Sequence, residues 1–140
     1  MTRLLAAAFA AMLLALPVLP AALAQTPAAP TAAQPGPDDR AKQWLTLMDD
    51  GNYADSARQM GPQAKKATAA ALPALRSLLC AVSSRNLREV TLTWSRPGMP
   101  AGQYAVVRYD SNFAHKSGAL ETVTLAMTKG GWSVVGYRID

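Results

Sequence analysis

The sequence holds one cysteine and one histidine, and each scarcity removes a class of chemistry. Cys80 has no second cysteine to pair with, so no internal disulfide framework supports the fold. With His115 as the only imidazole, soft metal ligands are lacking, and no metal or other cofactor is expected. Zinc spacings, phosphate-cradling glycine loops and nucleophile elbows are absent, so no catalytic residue is assigned. Charged residues make up only 16% of the chain, and the basic ones are scattered, with Lys65-Lys66 the one adjacent pair. Nucleic acid binding needs clustered cations and is therefore not expected. A solvated surface accounts for the formal net charge of +5. Attraction to anionic envelope polymers or membrane surfaces is the alternative.

Long apolar runs are also scarce. After residue 24 none approaches the roughly 20 residues of a bilayer-spanning helix, so no integral membrane segment is expected in the mature chain. Residues 1–24 read as a signal peptide: Arg3 supplies a positive start, Leu4 to Leu16 is apolar, and Pro17 and Pro20 end the run. Ala22-Leu23-Ala24 offers small residues for cleavage before Gln25, which predicts a periplasmic or secreted product. No cysteine follows the small residues, so lipid attachment is not expected. Residues 25–37, rich in Pro and Ala, read as a disordered leader, and residues 38–140 as one domain.

Within that domain the spacing predicts helices first. Asp38-Asp39 opens one, with Ala41, Trp44, Leu45 and Met48 on a buried stripe, and Gly51-Asn52 ends it. A second runs from Tyr53 to about Met60, with Tyr53, Ala54, Ala57 and Met60 on one side. A third covers about Gln63 to Ser83, with Ala64, Ala67, Ala71, Leu75, Leu78, Leu79 and Val82 inward and Pro73 kinking or dividing it. Cys80 falls in this apolar pattern and reads as a buried, inert thiol, an intermolecular disulfide being the alternative. His115 is placed in a distant loop, too far to serve as its base.

From Leu87 the period changes to two. Val90, Leu92 and Trp94 mark a half-buried strand, Gln103 to Tyr109 a second, Ala119 to Thr128 a third and Trp132 to Ile139 a fourth. Gly130-Gly131 suits a tight hairpin. Helices followed by an antiparallel meander give an α+β fold.

Several motifs resemble an exported bacterial family, domain of unknown function 4019. They are Ser84-Arg85-Asn86-Leu87, Pro97 to Tyr104, Phe113-Ala114-His115-Lys116, Glu121 to Leu125, and Gly131 to Tyr137. The similarity runs from about Ala41 to the C-terminus. It implies a small envelope protein with helices packed on a curved four-stranded sheet, similar to cystatin-like or nuclear-transport-factor-like folds, and it implies no activity.

Glu121 is the carboxylate of interest, because alternation places it inward with Val123, Leu125 and Met127. A buried carboxylate is costly unless paired. Arg108 and Arg85 are its candidate partners. Either the pair fixes sheet register, or Glu121 sits at a pocket mouth lined by aromatic residues such as Trp44 and Tyr104. Asp49, Asp50 and Asp55 read as solvated helix ends. The segment Ser111–Gly118 reads as a long loop able to carry contacts through Asn112, Phe113, His115 and Lys116, with Phe113 as its anchor.

Two functions are open. One is a non-catalytic binding module of the envelope, meeting an envelope component or a second copy through the threonine-rich sheet face (Thr91, Thr93, Thr122, Thr124) or the 112–116 loop. The other is a small-ligand or enzymatic cavity using Glu121.

Overall fold

The computed structural model describes residues 33–140. The expected signal peptide and residues 25–32 of the leader lie outside the described residues. Three helices, α1 (Pro37–Asp49), α2 (Tyr53–Arg58) and α3 (Lys66–Leu79), precede four strands, β1 (Val82–Thr93), β2 (Tyr104–Phe113), β3 (Lys116–Thr128) and β4 (Gly131–Ile139). The strands form one antiparallel sheet in the order β1-β2-β3-β4. The expected α+β meander is therefore the fold. Among the described residues no helix is long and apolar enough to cross a membrane.

One sheet face carries the main core. The buried stripe of α1 (Ala41, Trp44, Leu45, Met48) packs on Ala105, Val107, Val123, Leu125 and Val134. The Trp44 ring meets Tyr137 edge-on at 5.2 Å between centroids, and its indole N–H donates to the Ser56 carbonyl at 2.8 Å. Bulges decide which residues share this face. Between β3 and β4 the pairing passes from Thr124–Gly136 to Leu125–Val134 and leaves Val135 over. Val134 and Tyr137 therefore both face α1, which strict alternation forbids. A second shift, between Leu87 and Glu89, puts Arg85 and Leu87 on the same face as Val90 and Leu92.

The chain crosses the β4 edge between α2 and α3. Met60 forms a parallel bridge with Val134, and the Gly61 N–H donates to the Val134 carbonyl at 2.7 Å. A Cβ on Gly61 would lie 3.0 Å from Ser133 Cβ and 3.2 Å from Val135 Cγ1, so a larger residue here would push these neighbours apart by a few tenths of an ångström. Beyond it Ala64 packs with Met99 against Tyr104, Ala126 and Val135 on the opposite sheet face.

Several boundaries differ from the sequence expectations. The second helix ends at Arg58, because Met60 joins the sheet edge, and it buries Ser56 while Ala54 is exposed. The third is shorter than expected and continuous through Pro73. Its buried side is Leu72, Arg76 and Leu79; Ala67 and Ala71 are exposed, and Leu78 is 73% exposed. Strand β1 begins at Val82, and its apolar residues are more open than a half-buried strand predicts. Strands β2 and β3 extend through the supposed Ser111–Gly118 loop and leave only the turn Ala114-His115. At the last hairpin only Gly131, not Gly130, takes a positive φ, of 100°.

Candidate functional site

Four elements bring charge into the interior at one end of the main core. Glu121 on β3 is fully buried, and Arg76 on α3 is nearly so. Arg85 on β1 donates to Glu121 through Nε (2.5 Å to Oε2) and Nη2 (3.1 Å to Oε1). The same guanidinium reaches Asp49, at the end of α1, at 2.7 and 3.1 Å. Arg76 donates through Nη2 to Asp49 Oδ1 at 2.5 Å, and its Nη1 lies 3.5 Å from Glu121 Oε1 and 3.2 Å from the Tyr137 hydroxyl. Ser111 Oγ donates to Glu121 Oε2 at 2.8 Å and the Tyr137 hydroxyl to Oε1 at 2.6 Å. The Arg76 guanidinium also stands 5.0 Å from the Phe113 ring centre, a cation–π distance.

Two arginines thus face two carboxylates in a neutral cluster. Every contact to Glu121 is made by a donor, which is what burying a carboxylate demands. Burial opposes the charge on both arginines. For Arg85 the Asp49 and Glu121 contacts outweigh it, and for Arg76 the Tyr137 and Asp49 contacts do, so both are held above their ordinary pKa. Burial first, then the Glu121 carboxylate, pushes the Tyr137 hydroxyl far above the usual tyrosine range. Tyr109, also buried and near Asp38, is raised to about 12.

These two tyrosines give a pH dependence. A tyrosine whose folded pKa is raised binds its proton more tightly in the fold than in the unfolded chain. Its contribution is complete below about pH 10 and is lost as pH rises from there towards and beyond 12. Alkaline titration should therefore unfold the domain above about pH 10, with the phenolate absorbance of Tyr109 and Tyr137 appearing together with loss of helical circular dichroism. Phenolate signal from all tyrosines before any loss of structure would contradict this.

The structure sorts the residues singled out from sequence. Arg85 does contact Glu121. Arg108 does not: its partner on β2 register is Thr122, so its side chain lies on the other sheet face, where it pairs with Glu89. Trp44 is core. Tyr104 is on the face opposite Glu121, its hydroxyl donating to the Pro100 carbonyl at 2.6 Å. Asp49, read as a solvated helix end, is bound by both arginines. A groove of about 390 Å³ lies across the sheet, and Glu121 is not among its lining residues.

Arg76, Ser111 and the role of Tyr137 were missed. Arg76 was visible in principle, since Leu72 and Leu79 at i−4 and i+3 put it on the buried stripe. Ser111 was hidden because Ser111–Gly118 reads as a loop. Tyr137 depends on the β4 bulge.

At the β2–β3 turn, Phe113 is buried with Leu79 and Ala119. The Asn112 side chain binds Ser84 Oγ and the Gly118 N–H. His115 and Lys116 are exposed. The turn is tied to the end of α3 by Ala114 N–H to Ala81 O and His115 N–H to Leu79 O. This corrects the reading of Cys80. The thiol is exposed, at a φ of 59° just past α3, and Sγ lies 3.4 Å from His115 Nδ1. The carbonyl end of α3 places partial negative charge beside it, whereas reactive thiols sit in electropositive surroundings. Among the described residues no group of three or more His, Cys, Asp or Glu is placed to hold a metal ion.

No curated protein and no solved structure matches the chain. A family model does, over residues 40–137, which takes in α1 from Arg40, the other two helices and the sheet up to Tyr137. The chain belongs to the family described as Protein of unknown function (DUF4019).

Proposed function

We propose that this protein is a non-catalytic binding module of the cell envelope, exported with loss of residues 1–24, that holds an extended partner segment along β1. The observation that carries this reading is the surface of that strand. Among the described residues β1 is an outer strand with β2 as its only neighbour in the sheet. Its residues Val90 and Leu92 pair with Val107 and Ala105, both fully buried beneath α1. Yet Leu92 is 58% exposed, Trp94 beyond it is 74% exposed, and Leu87 and Val90 are open too. The apolar face of the core thus continues past the helices onto an unpaired edge.

Edge strands are normally blunted by charge, bulges or proline. Bulges and the charges Arg88 and Glu89 protect the first half of β1, but Val90-Thr91-Leu92-Thr93-Trp94 carries none of these devices. An added strand with apolar residues on the helix side would satisfy the free backbone groups and cover the stripe. Glu121 supports the non-catalytic part, because its oxygens are already engaged by Arg76, Arg85, Ser111 and Tyr137.

Export is tested by N-terminal sequencing of the protein recovered outside the inner membrane, which should begin at Gln25. Docking is tested with a photocrosslinking residue at Val90 in intact cells. It should yield an adduct that Leu92→Glu with Trp94→Ser abolishes, while unfolding free energy stays within about 0.5 kcal/mol, as for exposed positions generally. An adduct of twice the chain's mass assigns the partner as a second copy. Absence of any adduct, or one indifferent to the double substitution, removes β1 as the docking edge.

A further inference from the structure

The threonine-rich face, expected from sequence to be a partner surface, is covered on its β3 half only: Thr91 is exposed and Thr93 half-buried. Thr122 and Thr124 are buried, and the segments Gln63–Thr68 and Arg96–Met99 rise on either side of them. Between these walls lies the groove of about 390 Å³, within the size range of small-ligand sites. Its floor is Val106, Thr122, Thr124 and Gly136. At Gly136 a Cβ would already be 3.4 Å from Thr124 Cβ, so the absence of a side chain keeps the floor low.

The charge around this groove has one sign. Lys65, Arg96, Arg108 and Arg138 line it, and no acidic residue does. Arg108 is engaged by Glu89 and Arg138 by Asp140, both just outside the lining. Lys65 and Arg96 have no ion-pair partner among the described residues. A second, independent feature points the same way. Thr122 is only 6% exposed, and its hydroxyl has no hydrogen-bond partner; Gln63 Oε1, in the wall, is likewise buried and unpartnered. Buried polar groups are nearly always satisfied, so two unsatisfied ones at a single groove mark a place where a ligand completes the bonding.

We infer that this groove binds a small organic anion, a carboxylate or phosphate ester with a compact apolar body. The anionic group sits between Lys65 and Arg96 and is reached by the Thr122 hydroxyl once that side chain rotates toward the groove, and the body lies against Met99, Val106 and Val135. A donor on the ligand, such as a hydroxyl, satisfies Gln63 Oε1. The groove is on the sheet face away from the apolar stripe of β1, so the two readings stand or fall separately.

Titration of the mature chain with phenyl phosphate, phenylacetate, inorganic phosphate and neutral phenol, followed by amide chemical shifts, tests this. One of the two aromatic anions should bind, with shifts centred on Thr122, Gly136 and Met99, and bind at least tenfold more tightly than phenol. The better of the two identifies the anion class, and weaker binding of inorganic phosphate shows the need for the apolar body. Arg96→Gln and the near-isosteric Thr122→Val should each weaken binding by fivefold or more, and Lys116→Gln, on the β2–β3 turn at the other end of the sheet, should not. Both variants should keep the wild-type amide spectrum outside the groove. Failure of every anion to bind, shifts centred elsewhere, or wild-type affinity in either variant overturns the assignment.

Discussion

Glu121→Gln should lower the unfolding free energy by about 3–5 kcal/mol, the usual cost of removing one partner from a buried ion pair. The amide keeps the shape of the side chain and can still accept from Ser111 or Tyr137. It cannot offset charge. Arg76, nearly fully buried, and Arg85 would then share one carboxylate, Asp49, which is itself partly exposed. For a domain whose total stability is on the order of 5–15 kcal/mol, this is about a fifth of the margin or more. The check is the denaturant midpoint at constant slope. Adding Arg76→Met to the variant removes the guanidinium that lost its partner, so the double variant should be more stable than the sum of the two single losses by more than about 1 kcal/mol. A midpoint for Glu121→Gln equal to wild type would mean that the cluster contributes nothing. Strict additivity would mean that Arg76 and Glu121 do not act together.

Trp44→Ala should cost about as much, 3–5 kcal/mol, by a different mechanism. The indole is fully buried where α1, α2 and the sheet meet, and it supplies both the packing against Tyr137 and the hydrogen bond to Ser56 that holds α2 in place. Truncation opens a cavity that the surrounding backbone cannot close. Trp44→Phe separates the two contributions: most of the packing survives and the N–H bond does not, so the loss should be about 1–2 kcal/mol. Amide exchange should further show α2 opening more readily in the phenylalanine variant than α1. If both substitutions cost the same, the hydrogen bond rather than volume dominates at this position.

The ion cluster shows where reading the sequence stops. An inward Glu121 was legible, because Val123 and Leu125 flank it at a spacing of two, and so was its need for a cation. Which cation was not. Arg108 and Arg85 are equivalent on the page of the sequence, and the choice turns on faces: Arg108 follows Val106 to the outer side, whereas Arg85 reaches the inner side through the shift between Leu87 and Glu89. Cys80 and His115 illustrate the same limit. Thirty-five positions apart, they meet because the β2–β3 turn is far tighter than its composition implies and is stitched to the end of α3.

Local physical chemistry alone set the order of elements, the buried stripe of α1, the inward face of β3 and the scarcity of catalytic groups. These follow from spacing and composition, which act over a few residues. The proposed export signal, residues 1–24, likewise rests on the sequence alone. Tertiary structure decided the rest. A one-residue bulge inverts the facing of every residue beyond it, so the partners of Glu121 and the inward turn of Tyr137 had to wait for the register. The apolar edge of β1 is a property of the fold, in which Leu92 and Trp94 stay open although the paired Ala105 is fully buried. The cationic groove arises because two connections distant in sequence, Gln63–Thr68 and Arg96–Met99, rise over the same threonines, an encounter that no local pattern encodes.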